Sequence, residues 1–185
     1  MQKTILVVIL VQCIYAFSFA QDKFFTRTGQ ISFFSETPVE NIEATNRSVS
    51  SILNVENGEI AVSAQMKGFE FEKALMEEHF NENYVESDKY PKATFKGNIV
   101  NFDRSKYKSD VEYEVDVVGD LSLHGETKNI STKATLTFAG DKILAKTAFE
   151  VDVKDFKIKI PKAVIDNIAE SISVNVDLNL EPYSK

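Results

Sequence analysis

Between Val111 and Phe138 apolar residues fall on every second position in two consecutive runs, and this rhythm constrains the fold more than any other feature. The first run sets Val111, Tyr113, Val115, Val117, Leu121 and Leu123 against Glu112, Glu114, Asp116, Asp120 and Ser122. Successive strand side chains point to opposite faces, so this is one long strand with an apolar and a charged face. Gly119 falls on the apolar row, where a glycine predicts a bend or a bulge. The stretch His124-Gly125-Glu126-Thr127-Lys128 is a short polar turn, and Ile130, Thr132, Ala134, Leu136 and Phe138 alternate beyond it. A turn that short joins antiparallel neighbours.

The same rhythm recurs along the chain. After a polar lead-in over 22–28, Gly29, Ile31 and Phe33 alternate, followed beyond a polar stretch by Val49, Ser51, Leu53 and Val55. Asn57-Gly58 predicts a type I′ hairpin into Ile60, Val62, Ala64 and Met66, whose register Gly68 breaks. Further strands are read at Ala93 to Ile99, Ile143 to Val153 and Ile172 to Leu180. Phe156, Ile158 and Ile160 shift parity by one, which places a bulge or corner near Lys154-Asp155. Two segments, 72–80 and 162–170, carry helical spacing instead: Leu75, Met76, His79 and Phe80 in the first, Val164, Ile165, Ile168 and Ala169 in the second. Eight strands with hairpin connections give an all-β fold, an eight-stranded antiparallel barrel with two short helices over its openings or edges. A sandwich would rarely use a strand as long as the one starting at Val111.

A chain of 185 residues suits one domain. Its net charge of −7 argues against a nucleic-acid partner and against adhesion to an anionic membrane surface. Lys3, the apolar run Ile5 to Val11 and Ser18-Phe19-Ala20 together read as a secretory signal over 1–20, cut after Ala20. The mature chain, 21–185, is then a single exported domain, periplasmic or secreted. Cys13 leaves with the signal, so no disulfide forms, and stability is expected to be indifferent to reductants and chelators.

The stretch Val118-Gly119-Asp120-Leu121-Ser122-Leu123-His124-Gly125-Glu126-Thr127-Lys128 resembles the hallmark of the YceI-like family of lipocalin-like proteins. The segment from Phe80 through Tyr90-Pro91 to Thr94-Phe95 is similar to a second motif of that family, and Lys154-Asp155-Phe156-Lys157-Ile158 to a third, in which Lys157 stands where the family has glycine. The family's Asp and His-Ser before the first strand are replaced by Thr28-Gly29-Gln30-Ile31-Ser32. The resemblance implies an extended eight-stranded barrel, exported, enclosing a long apolar ligand such as a polyisoprenoid chain. It carries no catalytic residues.

No constellation for catalysis emerges from the residues themselves. Ser122, His124 and Glu126 superficially suggest a triad, but no nucleophile elbow accompanies them, and a solvated turn histidine is the expectation for His124. His79 is expected to cap or pack its helix, and two distant histidines without cysteine make a poor zinc set. The sequons at Asn46 and Asn129 matter only in a glycosylating host. An outer-membrane barrel would show a similar alternation, but the absence of Trp and the small, polar Thr132, Ala134, Ala145 and Thr147 make a poor lipid face. The expected function is therefore a non-enzymatic carrier of an apolar lipid, without cofactor or stable membrane insertion; a ligand-free structural or stress-response barrel is the alternative. Oligomeric state is not readable. The cavity lining is expected from Ile31, Phe33, Phe95, Tyr113, Val115, Val117, Gly119, Leu121, Thr132, Ala134, Leu136, Ala145, Thr147 and Phe149. Small residues concentrate on the two strands after the central turn and on Gly119 before it. Such a cluster leaves room that a ligand can fill.

Overall fold

The computed structural model describes residues 22–183; the expected signal over 1–20, with Cys13, lies outside them. Nine strands form one sheet: β1 (Lys23–Glu36), β2 (Asn41–Asn54), β3 (Glu59–Gln65), the two-residue β4 (Glu70–Phe71), β5 (Lys92–Ile99), β6 (Glu112–Leu123), β7 (Glu126–Ala139), β8 (Lys142–Asp152) and β9 (Ser171–Pro182). The order β1-β9-β8-β7-β6-β5-β3-β2 closes through a β1–β2 pairing, and every pairing between named strands is antiparallel. The result is an eight-stranded barrel, with β4 added at the edge of β2.

Several local expectations shift. The polar 23–28 and 41–48 are strand, because β1 and β2 pair along almost their whole length around a bulge at Gly29. The β2–β3 turn is longer than type I′: only Gly58 has positive φ (79°), and its N–H bonds to Asn54 O at 2.8 Å. Gly119 marks no bulge, since the registers of β6 with β5 and β7 run unbroken through it.

The first helix, α1 (Ala74–His79), is built from good helix formers and continues into a π turn at Phe80–Tyr84. Its inward side is narrower than expected: Leu75 and His79 stand exposed, while Met76 and Phe80 turn in. The second is a 3-10 segment, Lys162–Asn167, kinked at Val164, with Ile165 51% exposed. The parity change after Val153 is a 3-10 turn, Val153–Phe156, ended by Lys157 in left-handed conformation.

The barrel has two unlike ends. At the lower end, where β1 begins, the 100–111 loop carries Phe102 and Tyr107 beneath the strands. Their rings stack at 5.3 Å, and Tyr107 meets Tyr113 at 5.1 Å and Phe138 at 5.4 Å. Arg104 lies 3.9 Å from the Phe138 ring centre. Above this plug Leu53, Ile143 and Leu180 are wholly buried. Burying each such side chain contributes roughly 1.5–3 kcal/mol. Asn46, also wholly buried, donates its amide to Gln65 O and accepts from Ser48 N–H, so its sequon offers no accessible nitrogen in the folded barrel. The outward acidic row is solvated, with Lys133 bridging Glu114 and Asp116 at 3.0 Å each.

Candidate ligand cavity

Above the plug the inward side chains stop meeting. A cavity of about 340 Å³ runs to the upper end, within the size range of small-molecule sites. Of the expected lining, Ile31, Phe33, Phe95, Val117, Leu121, Thr132, Ala134, Leu136, Ala145, Thr147 and Phe149 border it. Three residues lie off it. Tyr113 belongs to the lower plug and accepts from Lys108 N–H at 3.0 Å, Val115 is buried in packed core, and Gly119 lies against the Phe95 ring. Alternation groups residues by face but carries no depth along the barrel axis, and depth separates plug from cavity.

The cavity exists because small side chains face one another across β7 and β8. Register sets Ala134 opposite Thr147 and Leu136 opposite Ala145. The ladder also stops there. β7 pairs with β6 along its length and β8 with β9, yet β7–β8 pairing runs from Ala139–Lys142 only as far as Ala134–Thr147. At this fork Thr147 Oγ1 donates to Lys133 O at 2.6 Å and lies 3.1 Å from Thr132 Oγ1. A hydroxyl thus supplies a carbonyl with the donor that a continued ladder would have given, and the strands can part. Ile130 on one lip and Phe149 and Val151 on the other line the cavity.

Loops supply residues that strand periodicity could not reveal. Phe33, Phe69, Phe71 and Phe80 form an aromatic cluster with ring centres 5.1–5.8 Å apart, and all four line the cavity. Met76, Tyr84, Val164 and Ile168 close over the upper end from the two helical segments. The turn before β2 and helix α1 bring ionisable groups, Glu40 and His79, to the cavity, and the β8 residue Lys146 borders it with its amine turned out to Asp177. Glu40 is fixed by a turn in which its N–H bonds to Thr37 Oγ1 at 3.0 Å. Its Oε2 accepts from Asn167 at 3.2 Å and its Oε1 lies 3.1 Å from Lys73 Nζ. The Asn167 hydrogen bond and then Lys73 hold its carboxyl below the usual range. Among the described residues no cluster of potential ligands could hold a metal.

His124 corrects the expectation of a solvated turn. Its side chain is 10% exposed; Nδ1 donates to Phe156 O and Nε2 faces Glu86 Oε2, both at 2.8 Å. Tyr90 meets the imidazole edge-on at 4.7 Å. Ser122 instead pairs with Thr127 at 2.7 Å, so no nucleophile faces the histidine. The three motifs noted in the sequence therefore converge on this ring, as a structural junction beside the cavity's upper end.

Known proteins share this architecture. A polyisoprenoid-binding domain from Saccharophagus degradans superposes with a TM-score of 0.76 at 15% identity, over 88% of this chain and 99% of that one. BcnA of Burkholderia cenocepacia gives 0.69 at 13% identity over 82% and 95%, and the YCEI protein of Campylobacter jejuni 0.64 at 15% over 80% and 90%. In sequence, a UPF0312 protein of Pseudomonas putida strain W619 is 33% identical over 98 residues, 50% of this chain and 47% of the relative. The aligned region thus spans about half the length of the curated relatives it matches. The model of the YceI-like domain matches residues 17–180, in agreement with the barrel and its three motifs: the chain belongs to the YceI-like family.

Proposed function

We propose that this protein is an exported, non-enzymatic carrier that holds a long apolar chain, a polyisoprenoid or acyl lipid, in the upper barrel. One observation carries the reading. Ile130, Phe149, Val174 and Val176 point inward yet remain only half-buried, because they face empty apolar space rather than one another. Unfilled apolar volume is unfavourable by about 24 cal/mol per Å³, and a hydrocarbon chain relieves this. The similarity to a polyisoprenoid-binding domain supports the ligand class, and the signal features at Ser18-Phe19-Ala20 support export.

Ala134→Phe and Ala145→Phe test it. Both alanines are nearly buried and border the cavity. The carrier reading expects folded variants, at least as heat-stable as the parent, that lose the lipid found by solvent extraction and mass spectrometry of the parent. A barrel whose interior is already filled would instead lose ~1–3 kcal/mol to overpacking. That result, with no lipid in the parent, favours a ligand-free structural module.

A further inference from the structure

We infer that the open end of the cavity is a headgroup site that accepts neutral, hydrogen-bonding headgroups and rejects anionic ones; this rests on the carrier reading above. The aromatic plug of Phe102, Tyr107 and Phe138 blocks the lower end. An apolar chain therefore enters tail first from above, and its headgroup comes to rest at the upper mouth.

The mouth is polar, and the acidic group bordering the cavity there is Glu40, with Lys73 paired to it from outside the lining and His79 exposed on α1. Glu40 and Asn167 border the cavity there, joined to each other at 3.2 Å. A carboxylate has about four lone-pair sites, so Glu40 can accept from a headgroup O–H or N–H while keeping Asn167 and Lys73. The Asn167 amide adds an acceptor oxygen beside it. The ionised state of Glu40 at neutral pH is favoured by the same two partners.

Among the described residues no Arg or Lys of the lining is free to bind an anion, and His79, the other basic group there, stands exposed on α1. Phosphate and carboxylate sites rely on Arg or Lys donors. None of Arg27, Arg47 and Arg104 borders the cavity. Arg47 pairs with Glu70 on the surface and Arg104 covers Phe138 at the blocked end. The one lysine in the lining, Lys146, holds its amine 3.0 Å from Asp177 in solvent. Lys73 at the mouth is engaged by Glu40 itself. A diphosphate or fatty-acid carboxylate would be partly desolvated beside a carboxylate whose cation is taken, and like-charge juxtaposition costs several kcal/mol.

The test compares geranylgeraniol with geranylgeranyl diphosphate, and palmityl alcohol with palmitate, on the delipidated mature protein by native mass spectrometry and competition. The parent is expected to favour each neutral probe over its anionic counterpart by at least ~10-fold. Glu40→Gln should narrow that ratio, and Asn167→Asp, which adds a second carboxylate, should widen it. Circular dichroism confirms that both variants are folded, and the opposite directions of the two changes separate electrostatics from loosening of the loops. Equal binding of neutral and anionic probes, or tighter binding of the anions, overturns this inference and leaves the carrier reading standing. Failure of all four probes removes the carrier reading and this inference with it.

Discussion

His124 and Glu86 meet at 2.8 Å although 38 residues separate them, and both have left-handed backbone, with φ of 51° and 46°. Lys157, next to the Phe156 carbonyl that binds the same imidazole, is left-handed too, at 55°. Non-glycine residues adopt this region at a cost, and they persist where surrounding contacts over-determine them. Here those contacts bind the β6–β7 hairpin to the 80–90 and 153–158 loops at the upper end of the barrel.

His124→Ala removes both ring contacts and leaves the Phe156 carbonyl short of a donor. The expected loss is ~1–3 kcal/mol of unfolding free energy, measured by urea denaturation. Glu86→Gln retains a hydrogen-bonding partner and should lose less. Equal losses would show that the charged contact with Glu86 carries the whole contribution of the ring, and no loss in Glu86→Gln would leave it to the Phe156 bond and the Tyr90 packing.

Lys157→Gly relieves the left-handed backbone without touching the buried Phe156. Its amine gives up an exposed contact with Glu126 at 2.7 Å, the kind of surface pair that adds little. A rise in melting temperature of about 2–4 °C is expected for a domain of this size. A fall would mean that the Glu126 contact outweighs the backbone strain.

Gly119→Ala should be strongly unfavourable although the position lies in a regular strand. Gly119 faces Gly97 across the β5–β6 ladder, and a Cβ there would run first into Lys96 O and Gly97 Cα of β5 and then into Phe95 Cζ at 2.7 Å. The ring covers both glycines, so an added methyl must push the β5 and β6 backbones apart as well as displace the ring. A loss of ~1–3 kcal/mol in denaturant unfolding is expected. Adding Phe95→Ala should recover part of it, a coupling that a double-mutant cycle reads directly.

The fork in the β7–β8 ladder should be visible in amide hydrogen exchange. Amides on the β8-facing edge of 127–133 and the β7-facing edge of 148–152 should exchange faster than those of 134–139, whose ladder is complete. Added lipid should slow exchange at Ile130, Phe149 and Val151, which flank the cavity. Uniform protection along β7 would show that the strands zip closed in solution.

The sequence by itself determined the apolar faces and the meander order of eight strands, because side-chain direction alternates every residue and short turns force antiparallel neighbours; it did not show that β1 and β2 extend through 23–28 and 41–48 or that β4 joins them. It also carried the presence of Thr132, Ala134, Ala145 and Thr147 on the apolar rows of two neighbouring strands, while register set Ala134 opposite Thr147. Tertiary structure alone decided how far down the axis each inward residue lies. Tyr113 and Val117 share one face of β6, yet the 100–111 loop sets Tyr107 against the first and leaves cavity beside the second. It alone also decided that Glu86, His124 and Phe156 meet, and that Glu40 reaches Asn167 across 127 residues. Periodicity reports a side chain's direction from its own strand, whereas these contacts depend on where barrel closure and loop packing carry segments far apart in the chain.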